Sequence, residues 1–473
     1  MAEDSSKLHI AMFPWLAFGH MIPYLELAKL IAQKGHTISF ISTPRNIDRL
    51  PKLPPSLSSS IHLVKLPLPQ VENLPENAEA TIDVPYEKVP YLKKALDGLE
   101  DPMAKFLETS SPDWLLFDFL PYWLPPLAHN LRIPTAMFSI FIAACVAQIK
   151  PTDIQDDREK PEDFTRPPKW IPFPTTIAFR LFEITKIFDA ITGQGDTHPS
   201  DLYRAEKSLQ LCDAIVVRSC WELETDFLNL LTELHNKPVI PTGQLPPVVV
   251  AYNNEDDDHD EATWKPIKKW LDKQETGTVV YVAFGSEANP NQEEVREIAL
   301  GLELSGLPFF WVLRSSSTIE LPLPDGFEDR TKGRGVVWKT WAPQVKILAH
   351  ESVGGFLSHG GWSSVVEAIT FQRPLILLTF LADQGWNARF LEERKMGYVI
   401  PRNDNDGSFS QDSVAESLRL VVLEEAGQVY RENVKKMKGV FGDPELQDRY
   451  VDQLLNFLVT NKNILLSPKP IGN

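Results

Sequence analysis

Cysteine is scarce in this 473-residue chain: Cys145, Cys212 and Cys220 are all there is. The count is odd and no CxxC occurs, which excludes a disulfide scaffold and a zinc ribbon and fits a reducing compartment. No Asn-x-Ser/Thr sequon is present, in keeping with a protein that is not secreted. Basic surplus is lacking too. The formal net charge is −17 and the pI about 5.1, so the overall field does not draw the chain to nucleic acid or to anionic membrane. The longest apolar run, SIFIAACVAQI, is too short to span a bilayer. The opening MAEDSSK lacks the basic-then-apolar order of a signal peptide. The expectation is a cytoplasmic protein with no nucleic-acid partner and no membrane insertion, monomeric by default. Several signatures are missing as well. There is no G-x-G-x-x-G, no G-x-x-x-x-G-K-[ST], no G-x-S-x-G and no H-E-x-x-H. An ordinary dinucleotide site, a P-loop, a nucleophile elbow and a zincin helix are thereby disfavoured.

What remains is an ordinary globular composition, 43% hydrophobic and 23% charged, in a chain long enough for two or three domains. Strand-like and helix-like segments alternate. LHIAMFPW is followed by IPYLELAKLIAQKG, in which Ile22, Leu25, Leu27, Leu30 and Ile31 recur at near-helical spacing and Gly35 is a stop signal. HTISFIST, IHLVKLPL, WLLFDF, TAMFSI and AIVVRSC come next with room for helices between them. This rhythm predicts parallel sheets with helices on both faces. It breaks at LPPVVVAYNNEDDDHDEATW, a stretch of linker composition, and restarts at TVVYVAFGS. The expected organisation is an α/β domain over 1–245, a linker over 246–263, a second α/β domain over 264–450, and a closing helix over 451–473 that can pack on either domain, the first included. The acidic cluster Asp256–Asp258 reads as a solvated spacer rather than a metal-nucleotide site. Residues 66–90 and 150–175 read as long irregular loops, either binding loops or disordered.

The chemistry concentrates in WAPQVKILAHESVGGFLSHGGWSSVVEAITFQRPLILLTFLADQ, residues 341–384. VGGFLSH reads as a strand, His359-Gly360-Gly361 as a tight turn, and a helix starts near Trp362. Glycines let a ligand approach the backbone, and the first turn of a helix offers free N–H groups to an anion. A diphosphate fits there, beside His359, Ser363 and Ser364. Glu367 shares a helix face with the two serines and can accept hydrogen bonds from a ribose diol. Trp341 offers a flat face to a base. Asp383 and Gln384 follow the strand PLILLTF at its carboxyl end, where open parallel sheets bind ligands, and their groups suit sugar hydroxyls. Taken singly, Trp341 fits a core, Ser363 an N-cap, Glu367 a solvated face and Asp383 a helix cap. The joint spacing carries the case.

This segment resembles the signature box of plant family 1 UDP-sugar glycosyltransferases: Trp-Ala-Pro-Gln at its start, His-x-Gly-Trp at its centre, a Glu, and a closing Asp-Gln. FPWLAFGH, SPDWLLFDF and VVYVAFGS extend the resemblance over the chain. FPWLAFGHMIPYLELAKLIAQKGHTISFISTPRNIDRLPKLP and YWLPPLA resemble the members that add a sugar to a sugar already on a terpenoid or flavonoid. The resemblance implies a GT-B fold, two Rossmann-like domains facing each other across a cleft. It implies that Trp341 stacks on uracil with Ala342 and Gln344 beside it and that Glu367 binds ribose. Ser286, His359, Gly361 and Ser364 would hold the diphosphate, and Trp362, Asp383 and Gln384 the donor sugar, glucose by the closing Gln. Ser363 departs from the commoner Asn and puts donor identity in doubt. No metal is implied.

The remaining residue is His20 in AFGHMIP, a helix-start residue or a base. A sugar hydroxyl attacks an anomeric carbon well only if its proton is removed, and histidine suits that task at neutral pH. It needs a partner to fix its tautomer. Asp118, after the apolar strand WLLF, is that partner in the family; Asp113 is the rival but precedes the strand. Phe119 and Ser139 are candidate acceptor contacts, with Tyr122 and Trp123 nearby. The implied reaction is inverting transfer from a UDP-sugar to a small-molecule glycoside. The alternatives are transfer to an aglycone, a non-catalytic UDP-sugar binder, and a Rossmann oxidoreductase.

Overall fold

A computed structural model describes residues 7–462 apart from 152, 194–198, 248–257, 286, 287, 289 and 315–321. The chain folds as two compact α/β units. One comprises residues up to 156, 188–245 and those from 444 onward; the other comprises 157–187 and 246–443.

The first unit is built on seven strands: β1 (His9–Phe13), β2 (Thr37–Ser42), β3 (Ile61–Lys65), β4 (Trp114–Phe117), β5 (Thr135–Ser139), β6 (Ala214–Val217) and β7 (Val239–Pro241). They form one sheet in the order β3-β2-β1-β4-β5-β6-β7, with every pairing parallel. The central strands are apolar at successive positions because helices cover both faces; all four residues of β4 are buried. The helix Phe18–Gln33 buries Tyr24, Leu25, Leu27, Ala28 and Ile31 against the sheet. Gly35, at φ +92°, supplies the left-handed residue that ends it. The terminal helix Pro444–Asn461 belongs to this unit. Its Val451, Leu454, Leu455 and Leu458 enter the same core, and Trp114 Nε1 donates to Leu458 O at 2.9 Å. Each such leucine contributes about 2 kcal/mol by leaving water.

The second unit carries β8 (Val279–Ala283), β9 (Phe309–Val312), β10 (Gly335–Trp338), β11 (Val353–Ser358), β12 (Leu375–Leu377) and β13 (Gly397–Val399). Their order is β10-β9-β8-β11-β12-β13, again parallel throughout. The helix Gln292–Ser305 starts at a capping box, with Asn291 Oδ1 accepting from Glu294 N and Glu294 Oε2 from Asn291 N, both at 2.9 Å. Gly306, at φ +74°, closes it.

The expected first domain, 1–245, therefore contains an excursion. Residues 157–187 leave it and pack with the second unit. Phe164, Ile171, Ile177, Phe179 and Phe182 are buried, and Phe179 lies against Trp386 at 4.3 Å between centroids. Part of this stretch reads as loop from its prolines and charges, and its scattered apolar residues carry no period that announces a docking surface. The linker is shorter than expected, since a helix begins at Asp258; Asp256 and Asp257 lie outside the described residues. Among the described residues no helix is long and apolar enough to cross a membrane.

Each sheet has one switch point, where strand order reverses: between β1 and β4 in the first, between β8 and β11 in the second. Crevices at the carboxyl ends of strands at such points are where open α/β sheets take ligands.

Candidate active site

In the first unit the switch point holds His20 and Asp118. β1 ends at Phe13, and the chain turns through Trp15–Ala17 into the helix that carries His20 in its first turn. β4 ends at Phe117, and Asp118 is the next residue. Asp118 Oδ2 accepts from His20 Nδ1 at 2.7 Å and from Trp15 N at 3.0 Å; Oδ1 accepts from Phe119 N at 2.8 Å. Asp118 has no exposed surface, and His20 keeps 9%. A buried carboxylate persists only when its oxygens are satisfied, and here two main-chain N–H groups and an imidazole do that. The bond to Nδ1 selects the tautomer protonated there and puts the lone pair on Nε2. The ring forms an aromatic triangle with Phe119, 5.9 Å away, and Phe141, at 5.2 Å in a T-shaped contact, and the two phenyl rings touch each other at 5.4 Å. Asp113 is at the other end of β4, as its place in the sequence predicts. Its Oδ2 accepts from His9 N at 2.8 Å.

Ser139 does not offer its hydroxyl to an acceptor. It is 2% exposed, and its Oγ donates to Phe141 O and accepts from Phe141 N. Its role is to hold the turn that places Phe141 beside His20. Phe141 is a residue that sequence reasoning misses, because in SIFIAAC it reads as one more apolar position. Trp123 is buried too, with Nε1 donating to Asp97 Oδ1 at 3.2 Å.

In the second unit the switch point is lined by the turns after β8 and β11. Gly285 and Gly360 have φ of +73° and +87°, a region that favours glycine. The His359 ring lies between two glycines: a Cβ on Gly285 would stand 2.9 Å from its Cε1, and one on Gly361 2.5 Å from its Nε2. Burial pushes the His359 imidazole down to about 4. Gly361 is the N-cap of the helix Trp362–Thr370, with Ser363 and Ser364 in its first turn. This is a glycine-lined helix start with a neutral imidazole beside it, and it suits a diphosphate. Ser286 lies outside the described residues.

Around this cradle Gln344 ties three groups together. Its Nε2 donates to Glu367 Oε2 at 2.7 Å and to Ser364 Oγ at 3.2 Å, and its Oε1 accepts from Tyr281 OH at 3.3 Å. Trp341 is 57% exposed, an apolar face left to solvent, while Ala342 is buried. Trp362 does not present its indole to a ligand. It is 3% exposed and packs on Phe390 and Phe441, so only its main chain belongs to the helix start. Gln384 Oε1 is taken up by Phe380 N and Leu381 N, at 2.8 and 3.0 Å. Asp383 Oδ2 accepts from Asn387 Nδ2 at 2.6 Å, and the same nitrogen donates to Gly360 O at 3.0 Å. Asn387 thus links Asp383 to the glycine turn. It lies three residues past the motif and carries no signal of its own in the sequence. Among the described residues no group of three His, Cys, Asp or Glu side chains is placed to hold a metal.

Two Rossmann-like parallel sheets, one with a His–Asp pair at its switch point and one with an anion cradle at its own, define the class: a nucleotide-sugar-dependent transferase of the GT-B fold. Comparison with known proteins narrows this. Residues 253–449 match the family model described as UDP-glucoronosyl and UDP-glucosyl transferase. The chain is 55% identical to UDP-glycosyltransferase 91A1 of Arabidopsis thaliana over 97% of its own length and 98% of that protein. It is 33% identical to anthocyanidin-3-O-glucoside rhamnosyltransferase of Petunia hybrida, covering 96% and 97% of the two chains. Its fold matches the crystal structure of a Medicago truncatula glycosyltransferase complexed with UDP-glucose at a TM-score of 0.75, with 22% identity and 97% and 100% of the chains covered. The chain belongs to the plant family 1 UDP-glycosyltransferases, enzymes that transfer a sugar from a UDP-sugar donor.

Proposed function

We propose that the protein moves the donor sugar, with inversion, onto a sugar hydroxyl of a terpenoid or flavonoid glycoside, and that His20 and Asp118 do the proton chemistry. The observation that carries this is the 2.7 Å bond between His20 Nδ1 and Asp118 Oδ2 at the carboxyl ends of β1 and β4. In this reading Nε2 of His20 takes the proton of the acceptor hydroxyl as its oxygen attacks the anomeric carbon from the face opposite UDP. Asp118 steadies the imidazolium that forms. UDP departs against the helix start at Gly361–Ser364 and His359, with Glu367 on the ribose and Trp341 on the base, Gln344 beside it. Asp383 and Gln384 hold the donor sugar. No metal takes part in this scheme. The scarcity of cysteine supports a reducing compartment such as the cytoplasm. Phe119 and Phe141 form the acceptor wall beside the base.

The donor is UDP-glucose on the reading of Gln384 as the residue that closes the motif. A specific observation favours a second donor, UDP-rhamnose: a relative 33% identical is a rhamnosyltransferase acting on a glucoside. The test is product mass and UDP release with EDTA present. UDP-glucose and UDP-rhamnose are each offered with matched aglycones and monoglucosides. Hexose or deoxyhexose added to the glucosides alone supports sugar-on-sugar transfer and names the donor. Addition to the aglycones removes the sugar-on-sugar reading. Activity abolished by EDTA and restored by a divalent cation removes the metal-free scheme.

A further inference from the structure

The strap 157–187 reaches the loop that ends β12. Glu183 is 6% exposed and Thr379 2%. Thr379 Oγ1 donates to Glu183 Oε1 at 2.6 Å, and Arg180 N donates to Glu183 Oε2 at 2.9 Å. The same carboxylate lies against Gly385: a Cβ there would stand 2.4 Å from Oε2. Glu183 therefore grips both ends of the turn 379–385. Between those ends, Phe380 N and Leu381 N donate to Gln384 Oε1, and Ala382 sits at φ +54°, which costs a non-glycine residue energy and persists only where the surroundings impose it. The carboxylate also interacts with Lys186, Arg389 and Arg402, and the three guanidinium nitrogens of Arg389 are buried without a hydrogen bond among the described residues. Glu183 shares these cations with other carboxylates, Glu294 on Lys186 and Arg402 and Glu392 on Arg389.

We propose that Glu183, carried on a strap from the amino-terminal half of the chain, is a positioning residue for the donor sugar: through Thr379 and Gly385 it fixes the turn that aims Asp383 and Gln384. The inference rests on the reading of those two residues as the sugar contacts. The uridine and diphosphate contacts lie on other segments, 341–344 and 359–367, so loss of Glu183 acts on the sugar and spares the nucleotide.

The experiment is calorimetric binding of UDP, which lacks the sugar, and of UDP-glucose or UDP-rhamnose, whichever the wild-type enzyme binds, to Glu183→Gln, Thr379→Val and the double variant. Asp383→Ala serves as the reference for the sugar contacts. Thr379→Val keeps the side-chain shape and guards against a Glu183 variant that fails to fold. Both single variants are expected to weaken the UDP-sugar about tenfold while UDP changes less than about twofold, and the double variant is no weaker than the worse single. Equal loss for UDP and UDP-sugar, no loss for either, or additive losses in the double variant would each overturn the proposal. Should Asp383→Ala fail to weaken the UDP-sugar relative to UDP, the sugar-contact reading itself falls; should it succeed where Glu183→Gln and Thr379→Val do not, only the positioning role falls.

Discussion

The two switch points solve opposite problems. At the first, two side chains 98 positions apart in sequence meet in a 2.7 Å bond with little solvent access. At the second, a continuous motif lays out a cradle that stays half open, with Trp341 57% exposed and glycines where side chains would block the approach. A base must be oriented by a charge that nothing else can satisfy, so its partner is buried. A nucleotide must enter and leave, and at the second switch point the polar groups Gln344, Glu367, Ser364 and Tyr281 bond one another rather than a single buried charge. The first region therefore concentrates its effect in two residues, and the second spreads it over many.

The largest expected effect follows from that concentration. His20→Ala should lower kcat by roughly 10²–10⁴-fold and leave the Kd of the UDP-sugar within about twofold, read by steady-state kinetics and calorimetry. A comparable loss in donor affinity would break the separation of the two regions. Asp118→Asn comes next and differs in kind. One amide oxygen cannot replace two carboxylate oxygens that accept from His20, Trp15 and Phe119, and the new NH₂ group faces donors. The expectation is a loss of about 10²-fold in kcat together with a drop of about 2–4 kcal/mol in stability by denaturant unfolding. Lost activity at wild-type stability would mean that the carboxylate serves the imidazole alone.

The same contrast decides what could be read in advance. The alternation of strands and helices and the 341–384 motif are local signals, so the α/β units and the helix start at Trp362 were legible at the positions where they occur. Pairing His20 with Asp118 came from the family resemblance and from the place of Asp118 after an apolar strand; the adjacency of β1 and β4 that brings the two together is a long-range pairing with no signal in the sequence. Side-chain direction was not legible. Trp362 and Ser139 carry the right chemistry, but the indole packs on Phe390 and the hydroxyl closes a turn on Phe141. Neither contact has a sequence period. The 157–187 strap was illegible for a related reason: its partners, Thr379, Gly385 and Trp386, lie about 200 positions away.

In the second region effects should be smaller and divided. Gln344→Ala removes a donor shared by Glu367 and Ser364, and Glu367→Gln removes the carboxylate that receives it. Each is expected to weaken UDP and UDP-sugar alike by about tenfold with kcat nearly unchanged. A fall in kcat as large as that of His20→Ala would show that the cradle also sets the reaction geometry, and the contrast between the regions would blur.

The smallest effect is pH-linked and tests whether His359 belongs to the diphosphate. Its folded-state value near 4 lies below the ordinary histidine value of about 6.5. Between those values the unfolded chain binds more protons than the folded one. The stability contributed by the neutral ring is thus full above pH 6.5 and declines as pH falls toward 4, by about 3 kcal/mol at most. His235 is also pushed down to about 4 by burial and titrates in the same window, so the measurement needs a His235→Gln background. An intact UDP-sugar has no group of its own that titrates there. If its diphosphate lies beside His359, its charge favours the imidazolium and binding takes up a proton. Affinity should then rise about threefold from pH 7 to pH 5.5, and His359→Gln should abolish the rise. A flat profile in the wild-type enzyme would remove His359 from the diphosphate contacts and leave the helix start to hold the anion alone.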